Sequence, residues 1–225
     1  MRPARGTCLH RDGAAFHKSV ALSSLEQLRS IVPEAGERQA GIRLHGLESL
    51  RRLLDADGEI GSLAVATLGR PASPVRALLF DKSLRSNWAL GWHQDRTIAV
   101  RERAEATGYG PWSVKRGLNH VEPPFEIIAA MITLRIHLDD TPADNAPLLI
   151  VPGSHRLGRI PEGCIAEVVA RTEPQACLAA AGDVWTYSTP IVHASGRSSG
   201  HRHRRVVQVD YSSAVLPDGL DWLGI

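Results

Sequence analysis

A histidine and an aspartate separated by one residue are the first feature of this 225-residue chain that could do chemistry. His93 and Asp95 flank Gln94 in the segment GWHQD, so both side chains project from the same face of an extended strand. An imidazole nitrogen with a hard carboxylate oxygen is the mixture that Fe(II) prefers in the arrangement of two histidines and one carboxylate. Such a triplet also arises by chance on surface strands, so the pair needs a third ligand elsewhere in the chain.

A second group of polar residues follows an apolar run much later in the sequence. Ser195 comes two residues after His193, and Arg204 lies eleven residues after that histidine at the start of another β-type run. A dicarboxylate such as 2-oxoglutarate needs a metal at its keto-acid end and a buried guanidinium, helped by a hydroxyl, at its distal carboxylate. Arg204 is the candidate anchor for that carboxylate, and Ser195 is its helper.

The elements that must position these residues begin with a helical and mixed region up to about residue 70. Ser24 precedes LEQLRSIV and forms a capping box with Gln27, which predicts a first helix. A short strand is predicted from Gly41, and LESLRRLLDAD has leucines on one helical face before Gly58, which predicts a second helix.

From Val75 onward, short apolar runs separated by turn residues predict β-strands. The runs are VRALLF, ALGW, IIAAMITLRIHL, LLIV, IAEVV, DVWTY, PIVHA and VVQVDY. Because strands and helices do not alternate here, the pattern favours a sandwich or barrel over a doubly wound parallel sheet. The prediction is one mainly β domain with flanking helices: a flank over 1–74, a core over 75–213 and a tail over 214–225.

Composition and charge restrict the class of protein. The chain has 43% hydrophobic residues, and 26 basic side chains oppose 24 acidic ones, so no charge excess indicates nucleic acid or a membrane surface. Three cysteines without a CxxC pair favour a reducing compartment. We find no signal-peptide core and no run of about 18 apolar residues. We therefore expect a soluble cytoplasmic protein that acts on a small molecule, with its oligomeric state left open.

Several motifs in a fixed order resemble one enzyme family. They are HQD at 93–95, LDDTPADNAPLLIVPGSH from Leu138 to His155, AGDV at 181–184, and HAS followed by Arg204. Together they resemble the phytanoyl-CoA dioxygenase family of Fe(II)/2-oxoglutarate oxygenases over about Val75 to Tyr211. The resemblance implies a double-stranded β-helix, or jelly roll, with Fe(II), 2-oxoglutarate and O2 as cofactor and cosubstrates. It further implies that His93, Asp95 and His193 bind the iron, that Arg204 and Ser195 contact 2-oxoglutarate, and that the cosubstrate is converted to succinate and CO2.

The sequence differs from the family pattern at two positions and keeps the carboxylate ligand at a third. The usual Asn-Gly turn appears here as Asn145-Ala146, so the turn must accept a Cβ where glycine is common. Arg135 stands where relatives often carry an aromatic residue. The carboxylate ligand is present as Asp95, whereas halogenating relatives lose it, so the resemblance favours hydroxylation.

Two residues are candidates for contact with the substrate. Arg135 alternates with apolar residues in TLRIH, so it either faces solvent or points into the jelly roll toward a carboxylate of substrate or cosubstrate. Trp112 belongs to a long polar insertion at 101–124 that is either an active-site cover or an ordinary loop, and its ring is either a core residue or a substrate contact.

Two other functions use the same residues. One is a cupin-like binding protein without turnover, and the other is a zinc-type hydrolase, since two histidines and one carboxylate also suit catalytic zinc. The presence of His93, Asp95 and His193 together with Arg204 argues against the binding protein, because a site without turnover has no need for all four. Arg204 argues against the hydrolase, because hydrolysis needs no anchor for a dicarboxylate.

Overall fold

The computed structural model describes residues 7–33, 41–83, 85–200, 202–217 and 219–225. Its strands are β1 (Ala14–His17), β2 (Ile42–Leu44), β3 (Ser73–Lys82), β4 (Leu90–His93), β5 (Ile98–Val100), β6 (Trp112–Lys115), β7 (Leu118–Val121), β8 (Ile132–His137), β9 (Leu148–Ile150), β10 (Gln175–Cys177), β11 (Val184–Ser188), β12 (His193–Ser195) and β13 (Arg204–Ser212). Its helices are α1 (Leu9–Asp12), α2 (Leu25–Ile31), α3 (Glu48–Leu54), α4 (Gly61–Leu68), α5 (Phe125–Ala129) and α6 (Ile165–Ala170), with 3₁₀ turns at Ser154–Leu157 and Glu162–Cys164.

Two antiparallel sheets form the jelly roll that the family resemblance implies. The larger sheet has the strand order β1-β11-β8-β13-β3-β2, and the smaller has the order β10-β9-β12-β4. From β8 onward the chain moves to the smaller sheet for β9 and β10, returns for β11, crosses again for β12 and returns for β13. The double-stranded β-helix is thereby confirmed.

Helices cover the outer face of the larger sheet. Leu28 of α2 and Leu50 of α3 are fully buried in one apolar cluster with Leu79 of β3 and Val207 of β13. The alternation of strand side chains means that the residues between these apolar positions face the smaller sheet. On β13, Arg204 and Gln208 therefore face inward while Val207 faces the helices.

The N-terminal region also belongs to the larger sheet. The predicted helices appear as α2 and α3 and the predicted strand as β2, although Ser24 bonds Glu59 instead of capping α2. The strands β1 and β2, both from this region, form the two edges of the larger sheet.

Three predictions of local structure are wrong. The run IIAAMITLRIHL is not a strand throughout, since its first residues belong to helix α5 and β8 begins only at Ile132. The run IAEVV is not a strand but helix α6, in which Ile165 packs against Ile160 and Val192. A short apolar run fits either period, and packing decides between them. The stretch 101–124 is not one long loop, since it contains a hairpin that pairs β6 and β7 and forms a third sheet with β5. Arg116 and Gly117, both with positive φ, form its two-residue turn.

No helix among the described residues combines the length and apolar composition needed to cross a bilayer. All three cysteines are free, with Cys8 and Cys164 exposed and Cys177 buried.

Candidate metal centre

The structure brings together the histidine pair and the aspartate that the sequence singles out. One ligand atom from each of His93, Asp95 and His193 lies within 4.8 Å of the others. The two histidines face each other because β4 pairs with β12 at His93 and His193, and their ring centroids are 4.3 Å apart. Asp95 follows β4 on the same side, as the two-residue spacing predicts.

Gln94, between the two ligand candidates, points the other way and fixes the end of β4. Its amide nitrogen donates to the carbonyl oxygens of Gly158 (3.0 Å) and Pro190 (2.8 Å), and its amide oxygen accepts from the backbone of Ile160 (2.9 Å). The backbone that carries His93 and Asp95 is thereby tied to two neighbouring loops. Nothing in the sequence singles out Gln94 for this role.

Hydrogen bonds select the tautomer of both imidazoles. The Nδ1 atom of His93 lies 2.8 Å from the carbonyl oxygen of Gly91, and that of His193 lies 2.8 Å from the carbonyl oxygen of Ile191. Because a carbonyl oxygen only accepts, each Nδ1 carries the hydrogen and each Nε2 keeps a free lone pair. Burial lowers the pKa of His193 to about 4, so this imidazole is neutral at pH 7.

Asp95 is held in its ionised form by a buried arginine. Burial by itself would raise the pKa of Asp95, but the guanidinium of Arg76, followed by the two imidazoles, lowers that pKa below its usual value. Nη2 of Arg76 lies 3.6 Å from a carboxylate oxygen of Asp95, and its Nε lies 2.5 Å from Asp210. Two imidazoles and one carboxylate at this separation fit a divalent metal ion.

A cavity between the two sheets begins at this cluster. Its lining combines apolar side chains with basic ones, and Asp95 is the only acidic residue among the described residues that line it. The lining residues are Phe80, Lys82, Trp88, Leu90, His93, Asp95, Arg135, Leu148, His193, Ala194, Ser195, Arg204 and Gln208.

Arg204 and Ser195 both lie in this wall. Arg204 is 1% exposed, and its Nη1 donates to the carbonyl oxygen of Ala146 (2.7 Å). Its buried Nε has no hydrogen-bond partner among the residues that the structure describes. Burial, with the charge of Arg135 adding to it, lowers the pKa of Arg204 to about 9. The hydroxyl of Ser195 donates to the same carbonyl oxygen at 3.3 Å. Ala146 adopts φ 48°, so the turn does hold a Cβ in the left-handed region.

Lys82 is a cavity residue that was not predicted from the sequence. Its side chain is fully buried, and its Nζ donates to the hydroxyl of Ser195 (2.8 Å) and to the carbonyl oxygen of Gly196. Burial, then the charges of Arg204 and Arg135, lowers the pKa of Lys82 to about 7. The alternation in VRALLFDK could have revealed it, because Phe80 and Lys82 share a face of β3.

Of the two candidate substrate residues, one faces the cavity. Arg135 points inward, donates from Nη1 to the amide oxygen of Gln208 (2.9 Å) and stacks 5.5 Å from the ring of Phe80. The solvent-facing alternative for Arg135 is therefore wrong. The structure does not bring Trp112 to the cavity, because its ring packs in the apolar cluster around β5 and β7, with the guanidinium of Arg103 5.4 Å away.

Comparison with known proteins agrees with this geometry. The family model described as "Phytanoyl-CoA dioxygenase (PhyH)" matches residues 5–206. No curated protein sequence matches the chain.

The solved structure of AviO1 from Streptomyces viridochromogenes Tue57 is similar over 93% of both chains, with 22% identity and a TM-score of 0.65. SnoK, titled a non-heme alpha ketoglutarate dependent carbocyclase from nogalamycin biosynthesis, has 20% identity and a TM-score of 0.64 over 92% of this chain and 81% of its own. EctD from S. alaskensis, solved with 2-oxoglutarate and 5-hydroxyectoine, has 17% identity and a TM-score of 0.63 over 96% and 77%.

Proposed function

The chain belongs to the phytanoyl-CoA dioxygenase family of Fe(II)- and 2-oxoglutarate-dependent oxygenases, and we propose that it hydroxylates a small organic molecule at an iron ion bound by His93, Asp95 and His193. The observation that carries the proposal is the meeting of two imidazoles and one carboxylate at the wall of a cavity that also contains the basic side chains of Lys82, Arg135 and Arg204. Ferrous iron, when bound, supplies O2 activation coupled to the conversion of 2-oxoglutarate to succinate and CO2.

The chain's own residues bind and orient the reactants. Arg204, with Ser195, receives the distal carboxylate of 2-oxoglutarate, and the unpartnered Nε of Arg204 is a donor suited to it. Arg135, fixed by Gln208, contacts an anionic group of substrate or cosubstrate. The apolar side chains of Phe80 and Leu148 limit the water around these charges, which strengthens each electrostatic contact.

Hydrogen bonds orient the two imidazoles for metal binding, and a neighbouring charge keeps the carboxylate ionised. The backbone carbonyls at Gly91 and Ile191 hold both Nε2 lone pairs toward the site, so the histidines need no change of tautomer. Arg76 keeps Asp95 ionised, which preserves the ligand charge at neutral pH.

The alternatives explain the cavity less well. A zinc-type hydrolase or a cupin-like binding protein has no requirement for several buried cations beside the metal ligands. A reducing cytoplasmic location is part of the proposal and is supported by the free cysteines, and the near balance of charge gives no reason to include nucleic acid as a partner.

The test is spectroscopic and needs no knowledge of the substrate. Adding Fe(II) and 2-oxoglutarate to the protein without oxygen should produce a weak visible metal-to-ligand charge-transfer band, and admitting air should yield succinate. His93→Ala should abolish both signals, whereas His45→Ala, at an exposed histidine, should leave them unchanged. Succinate formation that survives in His93→Ala would refute the ligand assignment, and a wild-type protein without the band would refute the function.

A further inference from the structure

A second group of basic side chains lies near Asp95, outside the lining of the cavity described above. Arg43 is directly opposite Leu78 where β2 pairs with β3, so its side chain lies on the inner face of the larger sheet together with that of Arg76. Arg76 is paired with the carboxylates of Asp95 and Asp210. Arg43 differs from it: within the described ranges Arg43 forms no ion pair, and its buried Nε has no hydrogen-bond partner.

The hairpin of β6 and β7 brings a lysine and a histidine to this group. Lys115 pairs with Leu118, and His120 lies two residues further along β7, so Lys115 and His120 share one face of the hairpin. His120 is fully buried, and its Nε2 lies 3.5 Å from Nη2 of Arg43. Nζ of Lys115 donates to the hydroxyl of Thr97 (3.3 Å), which follows the metal ligands of the β4 segment. The hairpin therefore faces the larger sheet beside the metal centre.

The histidine supplies no charge to balance Arg43. Nδ1 of His120 lies 3.0 Å from the carbonyl oxygen of Leu118, so Nδ1 carries the hydrogen and Nε2 accepts from Arg43. Burial lowers the pKa of His120 to about 4, so the ring is neutral at pH 7. Burial, followed by the charge of Arg76, also lowers the pKa of both Arg43 and Lys115. A bound anion would stabilise both cations.

Building on the proposed function, we propose that the substrate to be oxidised carries a carboxylate group, which Arg43 and Lys115 bind beside the metal ligands. The guanidinium presents Nε and one Nη to the two oxygens of a carboxylate, and the ammonium group adds a point charge. His120 has no hydrogen left to donate, so the donors suit a planar monoanion. Because Arg43 lies outside the wall that carries Arg204 and Ser195, this group is separate from the site for the distal carboxylate of 2-oxoglutarate.

An anchored carboxylate has a consequence for the reaction. It fixes one end of the substrate relative to the iron ligands, so the bond that is oxidised is determined by its distance from the carboxylate. The neutral amide or ester of the same molecule lacks the charge that Arg43 and Lys115 require, and we expect the protein to discriminate against it.

Calorimetric titration of the Fe(II)-loaded protein, kept anaerobic and saturated with 2-oxoglutarate, tests this site while the cosubstrate site is filled. The probes are acetate, butanoate, benzoate and phenylacetate, each compared with its primary amide. At least one acid should bind the wild type about tenfold or more tightly than its amide, the range expected for hydrogen bonds to a charged group.

Three variants locate the preference for the acid. Arg43→Met should raise the Kd of the preferred acid by about tenfold to a hundredfold and should change the Kd of its amide by less than about threefold. Lys115→Met should raise the Kd of the acid by about twofold to fivefold, because its ammonium group is exposed. Arg103→Met, at an exposed arginine outside this group, should resemble the wild type.

The outcomes separate this inference from the function on which it rests. A wild type that binds no acid more tightly than its amide overturns the inference, and so does a preference that survives in Arg43→Met. Inorganic phosphate that binds more tightly than every acid overturns the assignment to a carboxylate. A wild type without the charge-transfer band of Fe(II) and 2-oxoglutarate refutes the proposed function instead. If thermal unfolding shows that Arg43→Met does not fold, Arg43→Gln, which keeps N–H donors without the charge, provides the same comparison.

Discussion

Replacing Lys82 by methionine should make the protein more stable at pH 6 and should flatten the dependence of its stability on pH. The fully buried ammonium group lies close to Arg204 and Arg135, and burial with these charges lowers its pKa from 10.5 to about 7. Methionine has a similar volume and no charge. It therefore removes the unfavourable free energy of burying a charged ammonium group, and it leaves little empty space in the core.

The magnitude follows from the difference between the folded and unfolded pKa values. At about 1.4 kcal/mol per pKa unit, the charged Lys82 destabilises the folded state by up to about 5 kcal/mol below pH 7. Methionine also loses the hydrogen bonds to Ser195 and Gly196, which contribute about 1 to 1.5 kcal/mol each. The expected net gain in the free energy of unfolding at pH 6 is therefore about 2 kcal/mol.

The sign of the pH dependence is fixed by which state binds the extra proton. Between about pH 7 and pH 10.5 the unfolded lysine is protonated and the folded one is neutral, so the stability of the wild type rises with pH in this window. Lys82→Met lacks this rise, and its advantage should disappear by about pH 9. Urea unfolding of both proteins at pH 6 to 9, without cosubstrate, measures the difference. Parallel profiles, or a variant that is less stable at pH 6, would show that the ammonium group is not destabilised as argued.

Three further substitutions test the site and its turn. Arg204→Ala should raise the 2-oxoglutarate concentration for half-maximal succinate formation at least tenfold, since a charge-assisted contact contributes about 1.5 to 3 kcal/mol; an unchanged requirement would exclude Arg204 as the anchor. Arg76→Met should lower the free energy of unfolding, measured in urea, by about 3 to 5 kcal/mol, because it leaves Asp95 and Asp210 without their buried counter-charge. A loss below about 1 kcal/mol would contradict this reasoning. Ala146→Gly should raise that free energy by roughly 0.5 to 1 kcal/mol, because glycine tolerates the left-handed conformation; a lower melting temperature would show that φ 48° is not strained there.

The spacing of apolar residues predicted the secondary structure correctly where it fitted a strand and did not fit a helix. The long run VVQVDY and its partner VRALLF have β-type composition over many residues, and both form strands of the larger sheet. The run IAEVV is short enough to satisfy either a helix or a strand, and in helix α6 its Ile165 packs against Val192, which lies just before β12. The hairpin at β6 and β7 escaped prediction because Arg116 is an uncommon residue for a turn that needs positive φ.

By itself the sequence determined which residue types are available and how neighbours on one strand are oriented: His93 and Asp95 must share a face because strand side chains alternate. Only the tertiary structure decided that β12 pairs with β4 so that His193 completes the cluster, and that β3 pairs with β13 so that Lys82 faces Arg204. Strand register brings distant residues together, and desolvation then sets their charge states. Neither the strand register nor the desolvation can be read from the spacing of residues along the chain. Both depend on which segments pack together in the folded protein.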